Sequence, residues 1–221
     1  MEIRQLYSDR ELTVCVKPVG VDAEKELPAL LREQVGGEVF CVHRLDRPVG
    51  GLMLFARTQR AAAALSAQIA AGEMDKRYLA VVQGRPEAEA ELVDLLFHDK
   101  AKNKSYVVTR PRRGVKEARL RYRLLAQREG LSLLAIQLET GRSHQIRVQF
   151  ASRGMPLAGD GRYGSSCRDA PLALWCGALD LSHPKSGERL HFSLSPESDI
   201  WPWTLFADLI STEGDKSYAL S

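Results

Sequence analysis

The stretch Ala118–Leu125, ARLRYRLL, with Leu131–Leu138, LSLLAIQL, behind it, decides the fold class of this chain of 221 residues. In the first segment Arg119, Arg121 and Arg123 alternate with Leu120, Tyr122 and Leu124. A period of two sets the arginines on one face of a strand and the apolar residues on the other. The second segment also reads as a strand. Working outward, RYLAVVQ at Arg77–Gln83 and SYVVT at Ser105–Thr109 add two more on the N-terminal side. LTVCVK at Leu12–Lys17 and the buried-looking GLMLFAR at Gly51–Arg57 come earlier, and Leu172–Leu181 and Arg189–Leu194 come later. Helices are expected over Glu24–Val35, with Pro28 near its start, and over Gln59–Ala71, between a Thr58 cap and a Gly72 stop. Two more are expected, from His144 to Arg153 and after Pro202. Many adjacent strands and few helices predict an α+β fold, a mixed, mainly antiparallel central sheet with flanking helices and loops.

Composition is that of a globular protein, with 44% hydrophobic and 27% charged residues. No run of 18 apolar residues spans a membrane, and MEIRQLYSDR has no apolar core for a secretory signal. No linker, low-complexity tract or repeat divides the chain, so one domain over 1–221 is expected. The four cysteines form no CxxC pair, which predicts a reduced, cytoplasmic protein, with Cys15 and Cys41 acting as small hydrophobes. The net charge of +3 is uneven: Lys100–Arg128 holds eleven Lys or Arg and one acid, Glu117. Such a bias is either an electrostatic footprint for a polyanion or a solvated strand face; charge alone favours the second.

Three segments have the residue types of a reactive site. His43-Arg44-Leu45-Asp46 precedes a loop forced by Pro48, Gly50 and Gly51. Arginines beside a carboxylate keep it ionised, fit to act as nucleophile or base without a metal; the plain alternative is an ion pair anchoring the loop. Tyr78 opens an apolar strand beside Lys76 and Arg77 and can stack on a flat ring or move a proton, or is simply a half-buried sheet tyrosine. Arg142, Ser143, His144, Gln145 and Arg147 surround a turn and helix start suited to phosphate, or form an ordinary amphipathic surface. Metal-ligand spacings, nucleotide loops and the G-x-S-x-G elbow are absent.

HRLDRPVGGLMLFA, KRYLAVVQG, LETGRSHQIRVQF and GMPLAGDGRYG stand in the order and approximate spacing of the RluA family of pseudouridine synthases. The opening LTVCVKPVGV and the late LDLSHPKSGERLHF also look like that family, so the resemblance covers roughly residues 6–196. It implies the pseudouridine synthase catalytic fold without an N-terminal accessory RNA-binding domain, and isomerisation of uridine in RNA, tRNA or rRNA, with no cofactor and no metal. Asp46 matches the catalytic aspartate, Tyr78 the active-site tyrosine and Arg147 the basic residue paired with the aspartate. Arg44 matches a residue holding the nucleotide's place, and His43, Arg142, His144 and Gln145 are expected at the substrate. A monomer is expected. Val49-Gly50-Gly51 stands where the family usually has Thr-Ser-Gly, Gln149 where it has His, and Trp175 where a histidine is common. The competing readings are an idle RNA-binding protein that keeps the fold, and a hydrolase using His43 and Asp46.

Overall fold

The computed structural model describes residues 1–167 and 169–212. In chain order the elements begin with β1 (Gln5–Ser8), β2 (Leu12–Lys17), α1 (Glu26–Val35), β3 (Phe40–Cys41), β4 (Gly50–Ala56) and α2 (Gln59–Ala71). They continue with β5 (Asp75–Gln83), β6 (Glu89–Asp99), β7 (Lys104–Val108), β8 (Val115–Arg128), β9 (Leu131–Leu138) and α3 (Gln145–Ala151). After a 3-10 turn at Gly161–Tyr163 come β10 (Leu174–Ser182), β11 (Arg189–Ser193), a 3-10 turn at Trp203–Phe206 and α4 (Ala207–Thr212). This is the α+β class expected, with strands predominantly antiparallel.

The chain forms two compact units. The first joins Met1–Lys76 to Trp175–Pro196. Its strands run β1-β2-β4-β10, with β3 also on β4 and β11 on β10; β4 and β10 are parallel and the other pairs antiparallel. β4 is buried at all seven positions, which explains its unbroken apolar run. Helix α2 starts where Thr58 accepts a hydrogen bond from the Ala61 N–H and stops at Gly72, whose left-handed φ of 72° lets its N–H close on the last turn.

The second unit comprises Arg77–Leu174 and the chain from Glu197 onward. It orders its strands β5-β9-β8-β6-β7, all antiparallel. One sheet face packs Leu96 and Ala118 against Val148 of α3, with Val107 and Tyr163 closing the cluster. Tyr122 meets Phe150 edge-on at 5.3 Å.

Three local expectations change. The eleven-residue β6 is not expected from its sequence, because Glu89, Glu91 and Asp94 depress its strand propensity; its register against β8 supplies the reason for those acids. Glu91 lies opposite Arg121 and Glu89 opposite Arg123, while Arg119 bonds Glu91 at 2.8 Å and Glu117 at 3.2 Å, and Arg121 bonds Glu139 at 3.1 Å. The arginines do share a strand face, but Arg119 and Arg121 are met there by carboxylates. Helix α3 is shorter than expected, beginning at Gln145 because His144 is left-handed with φ 56°. Finally, Cys41 is exposed at the end of the two-residue β3, whereas Cys15 is buried and its thiol is pushed up to about 12 by burial.

Candidate active site

In the first unit, His43, Arg44 and Asp46 lie on the loop between β3 and β4. A fully buried cation organises that loop. The Lys17 side chain ends β2 and donates to the carbonyl oxygens of Pro18 at 2.9 Å, Arg47 at 3.1 Å and Val49 at 2.8 Å. Burial pushes Lys17 down to about 8, against the attraction of the nearby Asp46 carboxylate. The three carbonyl dipoles pull with Asp46, toward the charged amine. The Gly20 N–H also bonds the Arg47 carbonyl at 2.8 Å, and the Val49 N–H closes a turn on the Asp46 carbonyl at 2.9 Å. Asp46 is half-buried on a backbone fixed from below.

His43 is half-buried, and desolvation of its ring, aided by the Lys76 ammonium, lowers it to about 3. It is therefore neutral at physiological pH, and its Nε2 accepts the Leu54 N–H at 3.0 Å. This extends the bonding of β4 past the point where β3 ends. Arg44 is exposed and pairs with Glu24 at 3.0 Å; Arg47 pairs with Glu26.

Gly50 and Trp175, two of the departures from the family pattern, occupy paired positions of the parallel strands β4 and β10. A Cβ at Gly50 would lie 2.6 Å from Cζ3 of Trp175, whose Nε1 donates to the Leu194 carbonyl at 2.7 Å. The glycine makes room for the indole. At Gly51, with φ 116°, a Cβ would lie 2.3 Å from the Cys176 carbonyl oxygen, so only glycine fits.

In the second unit, Tyr78 lies on β5 opposite Ile136 of β9 and is buried. Arg142, His144, Gln145 and Arg147 come together along the turn into α3. Arg147 is buried and held in a two-pronged ion pair by buried Asp160, Nε to Oδ2 at 2.7 Å and Nη2 to Oδ1 at 2.9 Å. The guanidinium carbon also sits 5.2 Å from the centre of the Tyr163 ring. The Tyr163 hydroxyl accepts the Ser105 N–H at 2.9 Å and lies 2.9 Å from Nδ1 of His144. Gln145 uses its amide to tie the turn: Oε1 accepts from the Arg142 N–H and the Thr140 hydroxyl, and Nε2 donates to the Arg119 carbonyl. Arg142 is exposed, with its Nε donating to the Glu117 carbonyl.

Lys17, Asp160 and Tyr163 lie outside the candidate side chains that the sequence suggests. Lys17 ends an apolar strand and Asp160 sits in a glycine-rich loop, and neither position identifies its partner.

The family model described as RNA pseudouridylate synthase matches residues 12–152, which contain Asp46, Tyr78 and Arg147. The chain belongs to this family. It is 34% identical over 218 residues to an uncharacterized RNA pseudouridine synthase of Bacillus subtilis, covering 90% of this chain and 71% of that protein. It is 34% identical to ribosomal large subunit pseudouridine synthase D of Zymomonas mobilis, covering 72% of this chain and 53% of that protein. It is 31% identical to tRNA pseudouridine synthase C of Pectobacterium carotovorum, covering 84% of this chain and 57% of that protein. The chain thus spans little more than half the length of several curated relatives. The fold matches human RNA pseudouridylate synthase domain containing 4 with a TM-score of 0.73 at 22% identity, covering 88% of this chain and 89% of that one. Among the described residues, no helix is long and apolar enough to cross a membrane.

Proposed function

We propose that this chain is an enzyme that isomerises uridine to pseudouridine in structured RNA, with Asp46 as the catalytic carboxylate. The observation that carries this reading is a family match whose span includes Asp46 on a loop held by a buried ammonium. Uracil stacked in RNA hides its C5 and its glycosidic bond, so the nucleotide must be flipped out at a cost of a few kcal/mol. Tyr78 then stacks on the base and serves proton transfer. Arg147 supplies the basic group of the site, and Asp160 and Tyr163 keep its guanidinium aligned. Exposed Arg44 holds the target nucleotide's place in the RNA, exposed Arg142 takes a phosphate, and His144 also acts on the substrate. His43 and Gln145 shape the site through their backbone bonds.

In the reaction the C1′–N1 bond breaks, the uracil turns, and a C1′–C5 bond forms. C5 loses a proton and N1 gains one, so mass is unchanged. Asp46 serves either by bonding C1′ or by assisting a glycal intermediate. The enzyme works as a cytoplasmic monomer, with no cofactor and no metal. The relatives' names include both tRNA and ribosomal enzymes, and both RNAs are candidate substrates.

Carbodiimide-stop sequencing of RNA from cells with and without the protein tests the reading and names the uridine. Sites lost with the protein, restored by wild type and not by Asp46→Asn, are the expected result. Restoration by Asp46→Asn would reject the catalytic assignment. Unaltered pseudouridine everywhere, with RNA still bound, would favour the idle RNA-binding protein.

A further inference from the structure

Strand β7 ends the strand order of the second unit, leaving an edge without a partner strand among the described residues. The outer face at this edge alternates aromatic rings and cations. Tyr106, still 37% exposed, lies opposite Phe97 of β6. The Arg112 guanidinium covers Phe97 at 4.5 Å from the ring centre. The Lys104 ammonium lies 5.8 Å from the Tyr106 ring centre and 5.2 Å from that of Tyr163. Lys100 and Lys102 extend the positive charge through the β6–β7 turn, and Arg110 and Arg113 through the loop after β7; all four are exposed.

These cations differ from the arginines of β8. Arg119 and Arg121 are matched by Glu91, Glu117 and Glu139. By contrast, Lys100, Lys102, Lys104, Arg110, Arg112 and Arg113 have no carboxylate partner within ion-pair distance among the described residues. The nearest acid in the turn, Asp99, spends Oδ1 on the N–H groups of Ala101 and Lys102. Most of the uncompensated charge of the basic segment thus lies at the β7 edge and in the loops that flank it.

The edge is also fixed to the residues around Arg147. Arg162 donates to the carbonyls of Lys102 at 3.1 Å and Asn103 at 3.3 Å. The Ser105 hydroxyl donates to the Ser143 carbonyl at 2.6 Å. Tyr163 stands near both Arg147 and Lys104, with 5.2 Å from its ring centre to each cation. A strand of RNA held on this edge is therefore held next to the start of α3.

Resting on the RNA reading above, we propose that the β7 edge, with Lys100, Lys102, Lys104, Arg112 and the Tyr106–Phe97 pair, docks a single-stranded stretch of the substrate RNA adjoining the target uridine. Phosphates meet the cations, and a base stacks on the exposed face of Tyr106. Interleaved cations and aromatic rings suit a single strand because every base offers a stacking face and every linkage a charge.

The test is fluorescence anisotropy with a labelled single-stranded oligouridine over a potassium chloride series, alongside pseudouridine formation in the RNA identified by sequencing. Lys100→Gln with Lys102→Gln, and separately Arg112→Gln with Arg113→Gln, should each reduce the salt slope of log K by about 1.4, at about 0.7 per phosphate released. Tyr106→Ala should weaken binding roughly tenfold with the slope unchanged, as expected from losing one stacked base. Arg121→Gln, whose charge is already compensated, should leave both quantities at wild-type values. Turnover at saturating RNA should be retained in all four, with KM raised in the first three. Wild-type affinity and slope in both double variants, from a wild-type protein that binds and isomerises RNA, would overturn the docking surface and leave the enzymatic reading standing. A wild-type protein that neither binds the oligouridine nor forms pseudouridine would overturn both.

Discussion

Replacing Gly50 by serine should destabilise the first unit, and trimming Trp175 should restore much of the loss. The new Cβ would stand 2.6 Å from Cζ3 and 2.9 Å from Cε3 of the indole, and 3.1 Å from Cγ2 of Val19. Comfortable carbon contacts are ~3.5–4.0 Å, so the overlap with the indole is about 1 Å. The indole cannot swing aside without breaking its bond to the Leu194 carbonyl, and its backbone is paired in register with Gly50. The loss is therefore expected to resemble overpacking, about 1–3 kcal/mol. Trp175→His removes the six-membered ring that causes the clash, at its own cost of roughly 2 kcal/mol for lost packing and a lost hydrogen bond. The double variant should be more stable than the sum of the single losses by about 1–2 kcal/mol, a coupling typical of residues in contact. Urea unfolding of the four proteins measures the cycle. Additive losses would refute the argument that glycine is present to admit the indole. Gly51→Ala provides the contrast: its clash is with the Cys176 backbone, so trimming Trp175 should not rescue it.

Lys17→Met should lower turnover about a hundredfold while folding persists, because the Arg47 and Val49 carbonyls lose their donor and Asp46 shifts with them; single-turnover kinetics with an undiminished rate would reject this positioning role. His43 has a folded-state value of about 3 against an ordinary 6.5, so the unfolded chain binds the extra proton between these values. Its contribution is fully present above 6.5 and lost as pH falls toward 3, amounting to roughly 3 kcal/mol at pH 4. His43→Gln, which keeps an acceptor for Leu54 and does not titrate, should flatten stability against pH in that window; an unchanged slope in urea melts would contradict the desolvated neutral ring. Asp160→Ala should cost about 3–5 kcal/mol by leaving Arg147 buried without that carboxylate, and Arg147→Met with Asp160→Leu should recover part of it. The same pair means that Arg147→Ala damages folding as well as turnover; equal stability of Asp160→Ala and wild type in urea would refute this account.

What was legible in the sequence is what neighbours along the chain decide. Thr58 and Gly72 bound α2 because a cap acts within one turn, and β4 and β9 follow from the apolar content of their own residues. The ordered motifs around Asp46, Tyr78 and Arg147 placed the chain in its family. Tertiary structure alone decided the partnerships. Whether β8 presents bare or compensated arginines depends on the register that lays Glu89 and Glu91 of β6 across from it. That register also converts an acid-rich segment of low strand propensity into a strand. Lys17 finds the Asp46 loop thirty residues further on, and Gly50 meets a tryptophan 125 positions later because β4 and β10 run parallel. A cap or a buried run is a short-range property of the chain. A charge pair, an ammonium under a loop, or a glycine that admits a ring exists only when strand pairing brings distant residues within a few ångströms, and local composition does not encode that distance.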